Sequence, residues 1–184
     1  MRKYIILIFI ISFVSCEKKE EKIESIKVWY YNGIFERVTA VDCDEVVYLP
    51  EKVDTIEVVL EDGSILPKEA VVLESKITDK ENLREIAVEL QKRKNITHDY
   101  VDARMKCYII RESGQVDSLC IGDNPIYALY NNQPIKLSNK LIYLIRDYCG
   151  FYRWINAGML QYFDELNDPT FEREKVISRS GERY

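Results

Sequence analysis

The chain has 184 residues, of which 47% are hydrophobic, with 26 Lys and Arg against 31 Asp and Glu and a formal net charge of −5. An acidic, unpatterned surface argues against a nucleic-acid partner, because such binding relies on Lys and Arg to neutralise phosphates. The length and apolar content are enough for one domain with a real core.

The chain opens with a basic start at Arg2 and Lys3 and an apolar stretch over residues 4–14. That stretch is too short to span a bilayer as a helix, which takes roughly 20 residues, and it reads as a secretory signal over residues 1–15. Cys16 follows at the seam, and the charged run over residues 17–22 reads as a solvated tether, too polar to bury. "FVSC" (residues 13–16) resembles the cleavage box of bacterial lipoproteins, with Ser15 as the small residue before the cut and Phe13 where Leu is usual. The resemblance implies that Cys16 becomes the first mature residue and carries acyl chains, palmitate among them, which together hold a protein on a membrane far better than one chain does. Loss of Arg2 and Lys3 with the signal leaves the mature chain more acidic still. The charged run is similar to segments that send some Bacteroidetes lipoproteins to the cell surface. The whole pattern resembles small lipoproteins of that type, implying an outer-membrane lipoprotein of the cell envelope facing the periplasm or the exterior.

Beyond the tether, residues 23–35 suggest a strand, with Ile26, Val28 and Tyr30 alternating against Lys27 and Trp29 before an Asn32–Gly33 turn. A second β-rich segment is expected over residues 37–49, and a third over residues 55–60 before Asp62–Gly63. Residues 69–77 suggest another strand. A helix is expected from Thr78, where "TDKE" has the form of a capping box, and Leu83, Ile86, Ala87 and Leu90 fall on one face. Glu85, Glu89 and Gln91 fall on the other face, and Asn95 is the expected end. The basic run Lys92, Arg93 and Lys94 sits where cations suit the helix dipole, and it reads as capping.

A four-strand meander is expected next: residues 101–112 and 115–121 joined by Ser113–Gly114, then residues 126–130 and a short strand near Ile135 joined by Asn131–Asn132. Pro125 and Pro134 suit strand starts or edges. A second helix is expected after Ser138, with Leu141, Leu144, Ile145 and Tyr148 on one face and Gly150 as terminator. The aromatic segment that follows suggests a helix from Ala157, a further short helix capped at Asp168–Pro169, and a frayed end at residues 179–184. The order gives an α+β domain with an antiparallel sheet over residues 25–150: a β-rich N-terminal part, a helix, the meander and a helix. Residues 16–24 form the lipidated tether, and residues 151–184 form a helical extension packed on the domain.

Few residues suggest chemistry. Cys43, Cys107, Cys120 and Cys149 form no C-x-x-C pair, so redox and zinc-ribbon motifs have no support. A two-residue Ser113–Gly114 loop would place Cys107 opposite Cys120 at a close, non-hydrogen-bonded pair, where a disulfide would suit an exported protein. A bulged loop would shift that register by one, and nothing specifies a partner for Cys43 or Cys149. His98 is the single histidine and reads as a loop residue. Asp42, Asp44 and Glu45 read as a water-facing cluster without calcium-loop spacing. Nucleophile-elbow, Walker and dinucleotide glycine patterns are missing. No catalytic residue, metal or cofactor is therefore assigned. Phe151, Tyr152, Trp154, Tyr162 and Phe163 form a candidate partner surface, although core packing accounts for them equally well. The expected function is a lipid-anchored, non-enzymatic binding or accessory module, held by the membrane and meeting a protein or glycan partner. An inhibitor or immunity protein against a toxin or lytic enzyme is one alternative, and a hydrolase using carboxylates is another.

Overall fold

A computed structural model of the chain describes residues 22–31, 40–48, 56–59, 65–68, 72–97 and 100–184. The signal-like segment, Cys16, the Asn32–Gly33 and Asp62–Gly63 turns and His98 lie outside the described residues. In chain order the elements are β1 (Ile23–Tyr31), α1 (Glu45–Tyr48), β2 (Ile56–Val59), β3 (Ile65–Lys68), β4 (Val72–Ile77), α2 (Lys80–Gln91), β5 (Lys94–Asn95) and β6 (Ala103–Arg111). They continue with β7 (Val116–Gly122), β8 (Tyr127–Tyr130), β9 (Gln133–Lys136), α3 (Asn139–Tyr148), a 3₁₀ turn at Phe151–Trp154, α4 (Ala157–Leu160) and α5 (Asp164–Asn167). Seven strands make one antiparallel sheet in the order β4-β1-β6-β7-β8-β9-β5, and β2 and β3 form a separate hairpin. The architecture is α+β. No helix among the described residues is long and apolar enough to cross a membrane.

Alternation along the strands sorts side chains to two faces. Ile26, Val28 and Tyr30 of β1, Met105, Cys107 and Ile109 of β6, and Leu119 and Ile121 of β7 face α2 and α3 in the main core. Burying each large apolar side chain there contributes about 1.5–3 kcal/mol. The opposite face carries Trp29, Tyr31, Lys106, Tyr108 and Cys120. Val41 and Val46 cover part of it, forming a second small cluster with Tyr31 and Ala103. Where a strand was expected in residues 37–49, the described part is a turn followed by the single helical turn α1. Glu45 starts it, its amide donating to the Asp42 carbonyl at 3.0 Å.

Both main helices lie close to their expected positions. In α2, Asp79 is the N-cap in place of Thr78, accepting from the amides of Glu81 and Asn82 at 3.0 Å each. Leu83, Ile86 and Leu90 are buried. Glu89 is also buried, contrary to the face expected for it, and bonds Lys92 at 2.7 Å and Ser138 at 3.3 Å. The helix ends at Lys92 rather than Asn95, and Arg93 caps it by donating to the Leu90 carbonyl at 2.9 Å. Ser138 caps α3, and the chain leaves that helix at Gly150, whose φ of +80° suits glycine.

The hairpin between β6 and β7 overturns the expected disulfide. Its loop has three residues, 112–114: the Arg111 amide donates to the Gln115 carbonyl, and Gly114 adopts φ +86°. A loop of this kind is a type I turn closed by a bulge. The register moves by one, so Cys107 lies opposite Leu119 while Cys120 lies opposite Lys106. Cys107 and Cys120 then point to opposite faces. Cys120 pairs instead with Cys43 across a Cα–Cα distance of 5.8 Å, and Cys107 and Cys149 are free and buried on the helix side.

The C-terminal segment shares the main core through Phe151, Tyr152, Ile155, Leu160, Phe163, Leu166 and Val176. Its helices are short, since α4 stops at Leu160 and α5 restarts at Asp164. Asp168 forms a turn by accepting from the Thr170 amide at 2.8 Å and starts no further helix. The expected frayed end is instead tied down. Val176 and Tyr184 exchange backbone hydrogen bonds of 3.2 and 3.0 Å, and Ser178 accepts and donates within the same closing loop.

Candidate functional site

Strands β1 and β7 finish, and β6 begins, at the same end of the sheet. The C-terminal segment returns to this end and leaves a pocket of about 190 Å³ lined by Tyr31, Arg104, Met105, Gly122, Asp123, Pro125, Arg146, Phe151 and residues 162–165. Gly122 is required by close approach: a Cβ there would stand 2.9 Å from Val101 Cγ1 and 3.3 Å from the Tyr127 carbonyl oxygen. A second, more open pocket of about 310 Å³ lies against Arg93, Tyr130, Asn131 and Gln133, with the Arg93 guanidinium 4.2 Å from the centre of the Tyr130 ring.

Arg146 is the central charge of the first pocket. It lies in the last turn of α3, where the helix dipole favours a cation, and its side chain is only 8% exposed. Its Nη1 donates to Glu165 Oε1, which also accepts from the Tyr152 hydroxyl at 3.0 Å. The guanidinium carbon lies 4.9 Å from the Phe151 ring centre and 5.3 Å from that of Phe163, so aromatic rings flank the ion pair where it lines the pocket. Burial, with the Glu165 charge beside it, pushes the Tyr152 hydroxyl well above its ordinary pKa. The hydroxyl therefore stays protonated and donates.

The opposite wall is held from the disulfide side. Arg104 Nη2 meets Asp102 Oδ2 at 2.5 Å, and Arg104 Nε lies 3.9 Å from Asp123. Asp102 in turn accepts from the Val41 amide at 2.9 Å, and the Ala103 amide donates to the Val41 carbonyl at 2.9 Å. Val41 precedes Cys43 by two residues, so the bond to Cys120 fixes the strip that buttresses Arg104. Nearby, Lys106 reaches Asp44 at 2.7 Å, giving one member of the acidic cluster a partner.

The five aromatics expected to form a partner surface divide. Phe151, Tyr152 and Phe163 are buried and belong to the core, where edge-to-face contacts at 5.6–6.0 Å join them. Trp154 and Tyr162 remain exposed, at 40% and 70%. The correction follows from area: aromatic rings have the most apolar surface to hide, and the C-terminal segment lies over α3. Arg146 was not singled out in the sequence. Its signal was a cation three and four residues after Tyr143 and Ile142, on a face that is otherwise buried. No group of three or more His, Cys, Asp or Glu among the described residues is placed to hold a metal ion.

No family model matches the chain, and no curated protein or solved structure matches it either.

Proposed function

We propose that the protein is a lipid-anchored, non-enzymatic binding module of the cell envelope, held on the membrane through acyl chains on Cys16 and using the Arg146 pocket to take its ligand. The observation that carries the binding role is that pocket. It combines a buried guanidinium, aromatic walls and an exposed mouth, which is the usual make-up of a site where a few polar groups orient a ligand against apolar surface. The Glu165 carboxylate is already engaged by Arg146 and Tyr152, which suits a structural ion pair better than a mobile proton carrier. The anchor is supported by the signal-like start, the "FVSC" box and the charged tether.

Two measurements test the two halves. Bacteria expressing the chain and fed a clickable palmitate should label it, with label lost in Cys16→Ser; an unlabelled wild-type chain refutes the anchor. A photo-cross-linking residue at Tyr162, on the pocket mouth, should capture a ligand or partner from envelope extract and lose it in Asp123→Asn. Capture that ignores the pocket variant refutes the site.

A further inference from the structure

Charge is layered along the pocket. The guanidiniums of Arg146 and Arg104 lie in its wall, with side chains 8% and 15% exposed. The carboxylates of Asp123 and Asp164 stand at the mouth, and both residues are exposed. Arg146 uses Nη1 on Glu165, while its buried Nε has no hydrogen-bond partner among the described residues. A buried donor left in this way forfeits the hydrogen bond it would make to water in the unfolded chain. Arg146 lines the pocket, and a carboxylate matches a guanidinium there best because it can take two N–H bonds. A second charge on the ligand that faces the two acids at the mouth is favoured there when it is positive, Asp123 being shared with Arg104 at 3.9 Å. Tyr162, 70% exposed beside those acids, offers that cation an aromatic face.

Size narrows the class further. The volume of about 190 Å³ falls below the roughly 300–1,000 Å³ of sites for drug-sized ligands. We infer that the pocket takes a small zwitterion of the α-amino-acid class, its carboxylate toward Arg146 and its ammonium toward Asp123 and Asp164. This inference rests on the binding-module reading and names the ligand of the same site.

Titration calorimetry on the full chain in detergent tests it, with the standard L-amino acids beside acetate, methylamine, N-acetyl-L-alanine and L-alanine methyl ester. At least one free amino acid should bind with Kd below about 1 mM. Blocking either its amine or its carboxylate should weaken binding about tenfold or more, since each removes a charge-assisted contact. Asp123→Asn should weaken it by about tenfold and Tyr162→Ala by about two- to fivefold, both at exposed positions and both unfolding at the wild-type temperature. Arg146→Lys should weaken it as Asp123→Asn does; if the Arg146 variant fails to fold, the two mouth variants still decide. Equal binding of acetate and free amino acids overturns the zwitterion and leaves the binding module standing. The zwitterion alone is likewise overturned if no probe gives heat up to about 10 mM while cross-linking at Tyr162 still captures a macromolecule. No heat and no capture overturns both.

Discussion

Opening the Cys43–Cys120 bond should be the most damaging single chemical change to the fold. The bond joins residues 77 apart in sequence, and on the chain-entropy model a loop of that size contributes about 4.5 kcal/mol at 25 °C. For a chain of this length each kcal/mol moves the melting midpoint by about 2–4 °C, so a fall of about 10 °C or more is expected. The loss has a structural route, because freeing Cys43 also loosens Val41 from Asp102 and Asp44 from Lys106. The assay is thermal unfolding of a Cys16→Ser background, oxidised and reduced, beside Cys43→Ser in the same background. Alkylation of the oxidised, denatured protein should mark Cys107 and Cys149 and leave Cys43 and Cys120 in one linked peptide pair. Equal midpoints with and without reductant would refute the stabilising role, and a Cys107–Cys120 peptide would refute the pairing.

Three further outcomes are expected. Burial raises the Asp117 pKa, but hydrogen bonds from Asn131, Tyr130, Arg111 and Gln115 outweigh it and hold the carboxyl at about 2, below its ordinary 3.8. That carboxylate adds about 2 kcal/mol of stability, present above about pH 4 and lost as the pH falls through about 2. Urea melts across that window should show an acid limb that Asp117→Asn flattens. Glu165→Leu leaves the Arg146 charge buried and unpaired and should cost about 3–5 kcal/mol, whereas the double variant with Arg146→Met should recover most of it in the same melts. Gly122→Ala drives a methyl against Val101 Cγ1 at 2.9 Å with backbone oxygens at 3.3 and 3.4 Å. It should cost about 1–3 kcal/mol, part of which Val101→Ala relieves; an unchanged denaturation midpoint would show that the strand ends give way freely.

What could be read from the sequence follows the range of the interactions involved. Alternation in β1, the Asn131–Asn132 turn and the Ser138 cap depend on neighbours a few residues away, and they stand as expected. The Asn pair adopts φ of +48° and +62°, the left-handed geometry that tight hairpins demand. Failures came where one residue of slack has a long-range result. Asp79 displaced Thr78 as a cap at little cost, but one extra residue in the β6–β7 loop moved a cysteine to the other side of the sheet. The strands β3 and β5 were missed because one contains a proline and the other has two polar residues, so neither carries a periodic signal. The pocket was hidden for the same reason as the disulfide. It joins residues 31, 104, 122, 146 and 162–165, which meet only once the sheet order and the course of the C-terminal segment are known. Glu165 and Arg146 are 19 residues apart, a spacing that no local motif reports.

The sheet also acts as a partition wall for sulfur. The four cysteines after Cys16 could combine in three complete ways. Once β6 and β7 have paired, Cys107 and Cys149 share the helix compartment while Cys43 and Cys120 share the other, and no thiol can cross between them. Backbone register alone forbids the combination that joins Cys107 to Cys120, and the packing of Cys149 in the main core and Cys43 on the other face forbids the second mixed combination. Burial pushes the Cys149 thiol up to about 12 and Cys107 well above its ordinary value, so the inner pair holds almost no thiolate to attack the outer bond. A Cys107–Cys120 bridge made early must therefore reopen before the hairpin can close in this register.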